Sequence, residues 1–262
     1  MQAWENRDCK VLFRKKRDFK NKKILSFIAA ALSAVTAACI VIYSVRDFSG
    51  KEYTFSGTES NFAVALTFDD GPSDYTEELL DGLKKYGAKA TFFVLGKRAE
   101  KHPDTIKRIY SEGHLLGNHS FEHINMLTSA LIPKNLKASI EKTADAVERL
   151  TGERPVFFRA PHGYVLPHQK LFTGTVFVDW SYDTYDWKHQ DSDYVYNEGK
   201  KAAKDGAIIL LHDTKKTTVE GVLRAVKELK DEGVDFVRVD ELLSRNGAEI
   251  KSGVIYKKYM VF

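Results

Sequence analysis

Residues 63–71 read Ala63-Val64-Ala65-Leu66-Thr67-Phe68-Asp69-Asp70-Gly71, a short β-rich run that breaks into two carboxylates and a glycine. A near-continuous apolar run of this length, bounded by turn residues, suits a strand buried on both faces of a parallel sheet. The pattern recurs at Ala90–Leu95, Val156–Phe158, Thr175–Val178, Ala207–Leu211 and Val234–Val239, with a weaker seventh run at His114–Gly117. Helical stretches lie between these runs. Leu136, Ile140, Ala144, Val147 and Leu150 follow the three-and-four spacing of one buried helix face, as do Val219, Val222, Val226 and Leu229. Glycines at 87, 113, 152, 206 and 233 stand where such helices would close. Repeated strand–helix units with short connections predict a parallel α/β sheet. Six or seven of them predict a distorted or incomplete parallel (β/α) barrel, with an open doubly wound sheet as the second arrangement.

Upstream, the chain changes character. Residues 1–23 hold nine basic and three acidic residues, a charge of +6, so a total of +4 leaves −2 for the rest. A nucleic-acid footprint would have to lie on this slightly acidic part, and no nucleic-acid partner is expected. The run Ile24–Val45 is uncharged and 22 residues long. A bilayer-spanning helix needs about 20, whereas a signal-peptide core is about 7–15. Basic residues ahead of the run, and only Arg46 just after it, predict the N-terminus inside and the rest outside. A cleaved signal peptide, a lipid-modified Cys39 and a buried core helix are the alternatives.

The expected organisation is a basic cytoplasmic segment over 1–23, a transmembrane anchor over 24–45, a linker over 46–61, the main domain over 62–245 and a tail over 246–262. Val254–Phe262 in that tail looks like a terminal strand. Fully extended, Arg46 to Asn61 would reach roughly 53–58 Å. Cys9 and Cys39 are the only cysteines, so the exported part forms no disulfide and any metal there has nitrogen and oxygen ligands.

Five polar clusters each follow a predicted strand: Asp69-Asp70-Gly71, His119 to His123, Arg159-Ala160-Pro161-His162-Gly163, Asp183 to Trp187, and Leu210-Leu211-His212-Asp213. In parallel β/α folds the carboxyl ends of the strands open onto one face, where active sites are built. Singly, each cluster has a plainer reading. Asp69-Asp70-Gly71 suits a turn, His212 a satisfied strand-end histidine, and Arg159 a surface ion-pair partner. His119 and His123 are four apart, which would stack them on one face of a helical turn as two metal ligands or as structural groups. With Glu122 as base they also match an inverted zinc-peptidase motif. That motif needs a regular helix, and Gly113, Gly117 and Asn118 favour a strand-to-loop junction. His114 reads as structural, and His102, His168 and His189 as surface residues.

Taken together, the clusters resemble the polysaccharide deacetylases, carbohydrate esterase family four, related to the chitooligosaccharide deacetylases of nodulation. The resemblance runs from about Phe62 to Leu243. Its motifs are Thr-Phe-Asp-Asp-Gly, His-x-x-x-His, Arg-x-Pro-x-Gly, Asp-x-x-Asp-Trp and Leu-x-His-Asp, in that order. It implies a hydrolase that removes acetyl groups from an amino-sugar polymer of the cell envelope. Peptidoglycan is the first choice from location; a chitooligosaccharide or an exported poly-N-acetylglucosamine are alternatives.

The resemblance also implies Asp70, His119 and His123 as ligands of one divalent metal, zinc by default, with cobalt, manganese or nickel as alternatives. Such a metal polarises the acetamide carbonyl and acidifies water. Asp69 would be the general base, oriented by Arg159. A backbone N–H near His162 would receive the oxyanion, and Leu210 and Trp187 would enclose the acetyl methyl. His212 would be the general acid, with Asp183 favouring its protonated form. Position 162 commonly holds an aromatic residue in this family; histidine there is a departure that bears on sugar stacking or metal preference. A catalytically silent sugar-binding protein and a small-molecule amidohydrolase are the readings from other classes. The full set of polar residues argues against the first, and an export anchor against the second.

Overall fold

The computed structural model describes residues 52–53, 56, 62–125, 133–165, 174–247 and 249–257. The basic segment 1–23 and the span expected over 24–45 lie outside the described residues. Among those described, no helix is long and apolar enough to cross a membrane.

In chain order the strands are β1 (Glu52–Tyr53), β2 (Ala63–Asp69), β3 (Ala90–Val94), β4 (Leu115–Asn118), β5 (Phe157–Phe158) and β6 (Val176–Val178). They continue with β7 (Tyr182–Asp183), β8 (Ile208–His212), β9 (Asp235–Phe236), β10 (Ile250–Lys251) and β11 (Ile255–Tyr256). The main sheet runs β11-β6-β5-β4-β3-β2-β8-β7, with β9 beside the start of β2, and every pairing in it is parallel. β6 and β7 are consecutive in the chain but do not pair; β11 takes that edge of β6 instead. The sheet therefore curls into a parallel barrel left open at one seam, the incomplete barrel that the strand–helix repeats predict.

β2 is buried along its whole length. Its period-two alternation sends Val64, Leu66 and Phe68 outward against Leu79, Leu80 and Leu83 of α1 (Thr76–Lys85). Ala63 and Ala65 face the barrel interior, where their small side chains leave room for Phe93, Phe157 and Val176. Burying each phenylalanine contributes about 1.5–3 kcal/mol. The same alternation brings Thr67 and Asp69 onto the inward face at the carboxyl end of β2. Arg159, two residues beyond Phe157, and Leu210 and His212, beyond Ile208, share that parity.

The outer layer continues with α2 (Gly96–Lys101), α3 (Pro103–Ser111), α4 (Pro133–Thr151), α5 (Ser192–Ala202), α6 (Lys216–Asp231) and α7 (Val239–Leu243). The expected apolar faces are the ones turned to the core: Leu136, Ile140, Ala144 and Val147 are buried on α4 with Leu150 half-buried at its end, and Val219, Val222, Val226 and Leu229 are buried on α6. α5 and α6 meet at Gly221, where a Cβ would lie 2.5 Å from the Ser192 carbonyl oxygen, so only glycine allows that approach.

Three boundaries differ from the sequence reading. The weak seventh strand is real but starts one residue later, at Leu115. Two residues of the expected linker, Glu52–Tyr53, pair antiparallel with Ile250–Lys251 and belong to the domain. In the tail, only Ile255–Tyr256 forms a strand of the main sheet among the described residues. Local sequence does not encode pairing partners for two-residue strands, which depend on where the chain passes a free edge.

Candidate active site at the carboxyl edge of the sheet

Register brings the polar clusters together. Asp69 stands opposite His212 in the β2–β8 pair, and Asn118 opposite Phe158 in the β4–β5 pair. The second pairing sets His119 beside Arg159, whose carbonyl oxygen accepts from His119 Nδ1 at 2.9 Å. That contact places the proton on Nδ1 and leaves the Nε2 lone pair free. Nε2 of His119 lies 3.6 Å from Asp70 Oδ1, and Nε2 of His123 lies 3.4 Å from the same oxygen. Asp70 Oδ1 is buried and has no hydrogen-bond partner among the described residues. The three ligand atoms lie within 4.8 Å of one another. Burial pushes the pKa of His119 down to about 3 and also lowers that of His123, so both imidazoles are neutral donors. Two neutral imidazoles and an orphaned carboxylate oxygen fit one divalent cation and leave coordination positions open.

The two histidines do not converge by sharing a helical turn. Residues 119–125 are irregular, and Ser120 and His123 adopt positive φ angles of 70° and 57°. Asn118 Oδ1 accepts from Ser120 N at 2.9 Å, and Ser120 Oγ from Ile124 N at 3.0 Å, which fixes the loop. Glu122 points to Lys97 at 3.3 Å, on the surface, which removes the peptidase reading.

Arg159 is not a surface ion-pair partner; it is 1% exposed. Its Nη1 donates to Asp69 Oδ1 at 2.8 Å and to Thr67 Oγ1 at 2.7 Å, its Nε to the Val178 carbonyl at 3.1 Å, and its Nη2 to the Asp179 carbonyl at 3.0 Å. The guanidinium also lies 4.2 Å from the Phe93 ring centroid. Asp69 is thus held with one oxygen on Arg159 and the other, Oδ2, 3.7 Å from His119 Nε2. Burial raises the Asp69 pKa above the usual carboxylate value, while Arg159 and then His212 pull against that rise.

His212 pairs with Asp186, not with Asp183. Asp186 is fully buried; its Oδ1 contacts His212 Nδ1 at 2.8 Å, and its Oδ2 accepts from His212 N at 2.8 Å and from Thr218 Oγ1 at 2.9 Å. Burial alone would lower the His212 pKa, but the hydrogen bond and charge of Asp186, with Asp69 and Asp70 behind it, raise it to about 9. Asp183 instead ends β7, and its Oδ1 accepts from Tyr185 N at 2.8 Å. Both aspartates belong to the Asp-x-x-Asp-Trp string. Only the turn after β7, with Tyr185 at a positive φ of 54°, decides which one swings under β8. Thr67 and Thr218, which anchor Arg159 and Asp186, are likewise absent from the sequence-derived set.

Asp69, Asp70, His119, His123, Asp183 and His212 line one cavity of about 600 Å³, together with His162, Gly163, Trp180, Trp187 and Leu210, while Arg159 and Asp186 stand behind its wall. His162 sits exposed at a positive φ of 62°, its ring edge-on to His123 with centroids 4.6 Å apart. Among the described residues nothing accepts from its N–H. Leu210 is buried and Trp187 half exposed at the rim. His114, at the other end of the barrel, is structural as expected: its Nδ1 accepts from Ala90 N at 3.1 Å.

A parallel barrel open at one seam, with two histidines and an aspartate facing a buried Asp–Arg pair and a His–Asp pair, defines a hydrolytic centre of the deacetylase type. The chain belongs to the polysaccharide deacetylase family, whose model matches residues 56–170. A peptidoglycan-N-acetylglucosamine deacetylase of Bacillus cereus is 38% identical over 198 residues, covering 72% of this chain and 71% of that protein. The peptidoglycan-N-acetylmuramic acid deacetylase PdaC of Bacillus subtilis is 37% identical over 180 residues; the match covers 68% of this chain but only 38% of that longer protein. The structure of a family 4 acetyl xylan esterase from Clostridium thermocellum, in complex with a cobalt ion, superposes with a TM-score of 0.70 at 32% identity. It covers 76% of this chain and 100% of that one.

Proposed function

We propose that this protein is a metal-dependent N-deacetylase that hydrolyses acetamide groups of an amino-sugar polymer of the cell envelope, with peptidoglycan as substrate. The observation that carries this reading is the convergence, in one cavity, of a cation-ready set with a carboxylate on one side and a carboxylate-backed imidazole on the other. The substrate is supported by what the related Bacillus enzymes act on.

Asp70, His119 and His123 hold the cation, zinc by ligand type. When bound, it supplies Lewis acidity to the acetamide carbonyl and to the attacking water. Asp69 takes the proton of that water; Arg159 keeps its carboxylate fixed, so no reorganisation is needed as the proton moves. The His162 N–H donates to the carbonyl oxygen as negative charge develops there. His212 delivers a proton from Nε2 to the departing amine nitrogen, while Asp186 balances the imidazolium charge. Asp183 shapes the cavity wall through its bond to Tyr185 N. Leu210 and Trp187 enclose the acetyl methyl.

Residues 24–45 form the membrane anchor in this proposal, with 1–23 cytoplasmic and the catalytic domain outside. Glu52–Tyr53 pairs within the domain, so in this proposal the chain between the anchor and that pair would reach at most roughly 20 Å. The enzyme therefore works on glycan next to the membrane. Protease added to intact cells should remove the domain and spare residues 1–23; a protected domain would reverse the topology.

The decisive assay measures acetate released by the full-length protein from purified wall glycan and from chitooligosaccharides, with and without chelator. Release that a chelator abolishes and added divalent ion restores is expected. Turnover at the full rate by metal-free protein would refute the metal role.

A further inference from the structure

The lining of the catalytic cavity carries three carboxylates, Asp69, Asp70 and Asp183, and among its described residues one lysine or arginine, Lys215. Lys215 lies three residues past His212, on the turn from β8 into α6, with an extended backbone (φ −132°, ψ 132°). It is half-buried and makes no ion pair among the described residues. Its neighbour Lys216 is different: it is exposed and pairs with Glu220 at 3.5 Å within the helix.

An ammonium is poorly placed there for the fold's own sake. Lys215 is the N-cap of α6, the end of the helix where the dipole disfavours a cation. The first turn of α6 contains no acidic residue to offset that cost, and no side chain caps its N–H groups. Asn, Asp, Ser or Thr would stabilise the helix better at this position. The charge is therefore held against local helix energetics, on a wall of the reaction cavity, with no ion-pair partner among the described residues.

Resting on the deacetylase reading above, we infer that Lys215 is a specificity residue that binds a carboxylate borne by the glycan near the scissile acetamide. A neutral chitin-type polymer offers no such group. A wall glycan whose stem peptides have been removed does, on the lactyl ether of its muramic acid.

The test uses the full-length enzyme and three substrates: wall glycan stripped of peptide with free carboxyl groups, the same glycan with those carboxyls amidated, and chitopentaose. The readout is the ratio of kcat/KM for free-carboxyl over amidated glycan. The wild-type ratio should exceed one by about three- to fivefold, the worth of a partly exposed ion pair, and fall toward one at about 0.5 M salt. Lys215→Met should bring the ratio close to one, and Lys215→Glu below one, with melting temperature and metal content confirming intact protein. A wild-type ratio of one, or a ratio unchanged in Lys215→Met, overturns the proposal. Failure of wild type to deacetylate any of the three substrates overturns the deacetylase reading instead.

Discussion

Replacing Asp186 with asparagine should shift the alkaline limb of activity without removing the metal. Asp186 is fully buried and touches His212 twice, through the ring nitrogen and the backbone N–H, both at 2.8 Å. The pair raises the His212 pKa from 6.5 to about 9 against the opposing effect of burial. That difference amounts to roughly 3 kcal/mol of preference for the imidazolium. In Asp186→Asn the amide oxygen can still accept from His212 N and Thr218, while its NH2 faces Nδ1. The imidazole then carries its proton on Nε2 but is neutral, a hydrogen-bond donor without useful acidity.

A general acid must be protonated, so kcat/KM falls as pH rises through the His212 pKa. The alkaline limb should move down by about two units or more, and kcat above neutral pH should drop by about 10²–10⁴-fold. The stability link has the same sign. The raised folded-state pKa means that the pair stabilises the protein fully below about pH 6.5, and that this contribution is lost as pH climbs through about 9. The assay is a pH profile of acetate release for wild type, Asp186→Asn and Asp183→Asn at equal metal content, with urea melts at pH 6 and pH 10. Asp183→Asn should leave the alkaline limb in place. If Asp183→Asn moves the limb and Asp186→Asn does not, the assignment of the acid's partner is wrong.

Asp69→Asn should keep the cation, because Asp69 is not among the three ligand residues, while kcat falls by about 10²–10⁴-fold; Asp70→Asn should instead weaken metal affinity, as measured by competition with a chromophoric chelator. Arg159→Met leaves the Asp69 carboxylate buried without its partner and frees two carbonyls, so unfolding free energy should drop by about 3–5 kcal/mol in denaturant titration. Gly163→Ala forces a Cβ to within 2.5 Å of the Trp180 ring at a positive φ of 70°, so it should lower the melting temperature and raise KM by displacing a cavity wall. Restoring both in a Gly163→Ala, Trp180→Ala double variant would show that the clash with the indole, rather than the backbone conformation, is the cause.

Much of this protein is determined by sequence alone. The inward parity of Asp69, Arg159 and His212 follows from strand alternation once the β-rich runs are recognised, because side chains in a strand switch faces every residue. The buried faces of α4 and α6 follow from three-and-four spacing. The order of the polar motifs is enough to indicate the family, and the carboxyl ends of parallel strands open onto the same face whatever the exact closure.

Tertiary structure decided what depends on distances between remote segments. Which aspartate of Asp183 and Asp186 reaches His212 depends on how the turn after β7 passes under β8, a matter of a few dihedral angles that composition does not fix. His119 and His123 meet because two residues with positive φ fold the loop back, not because four residues make a helical turn. The barrel's open seam arises because β11, at the far end of the chain, takes the edge of β6. Its partner is chosen by proximity after collapse, which no local pattern records. Lys215 is one more exposed-looking lysine in the sequence; only the cavity around it, and the lack of an ion pair among the described residues, distinguish it from Lys216.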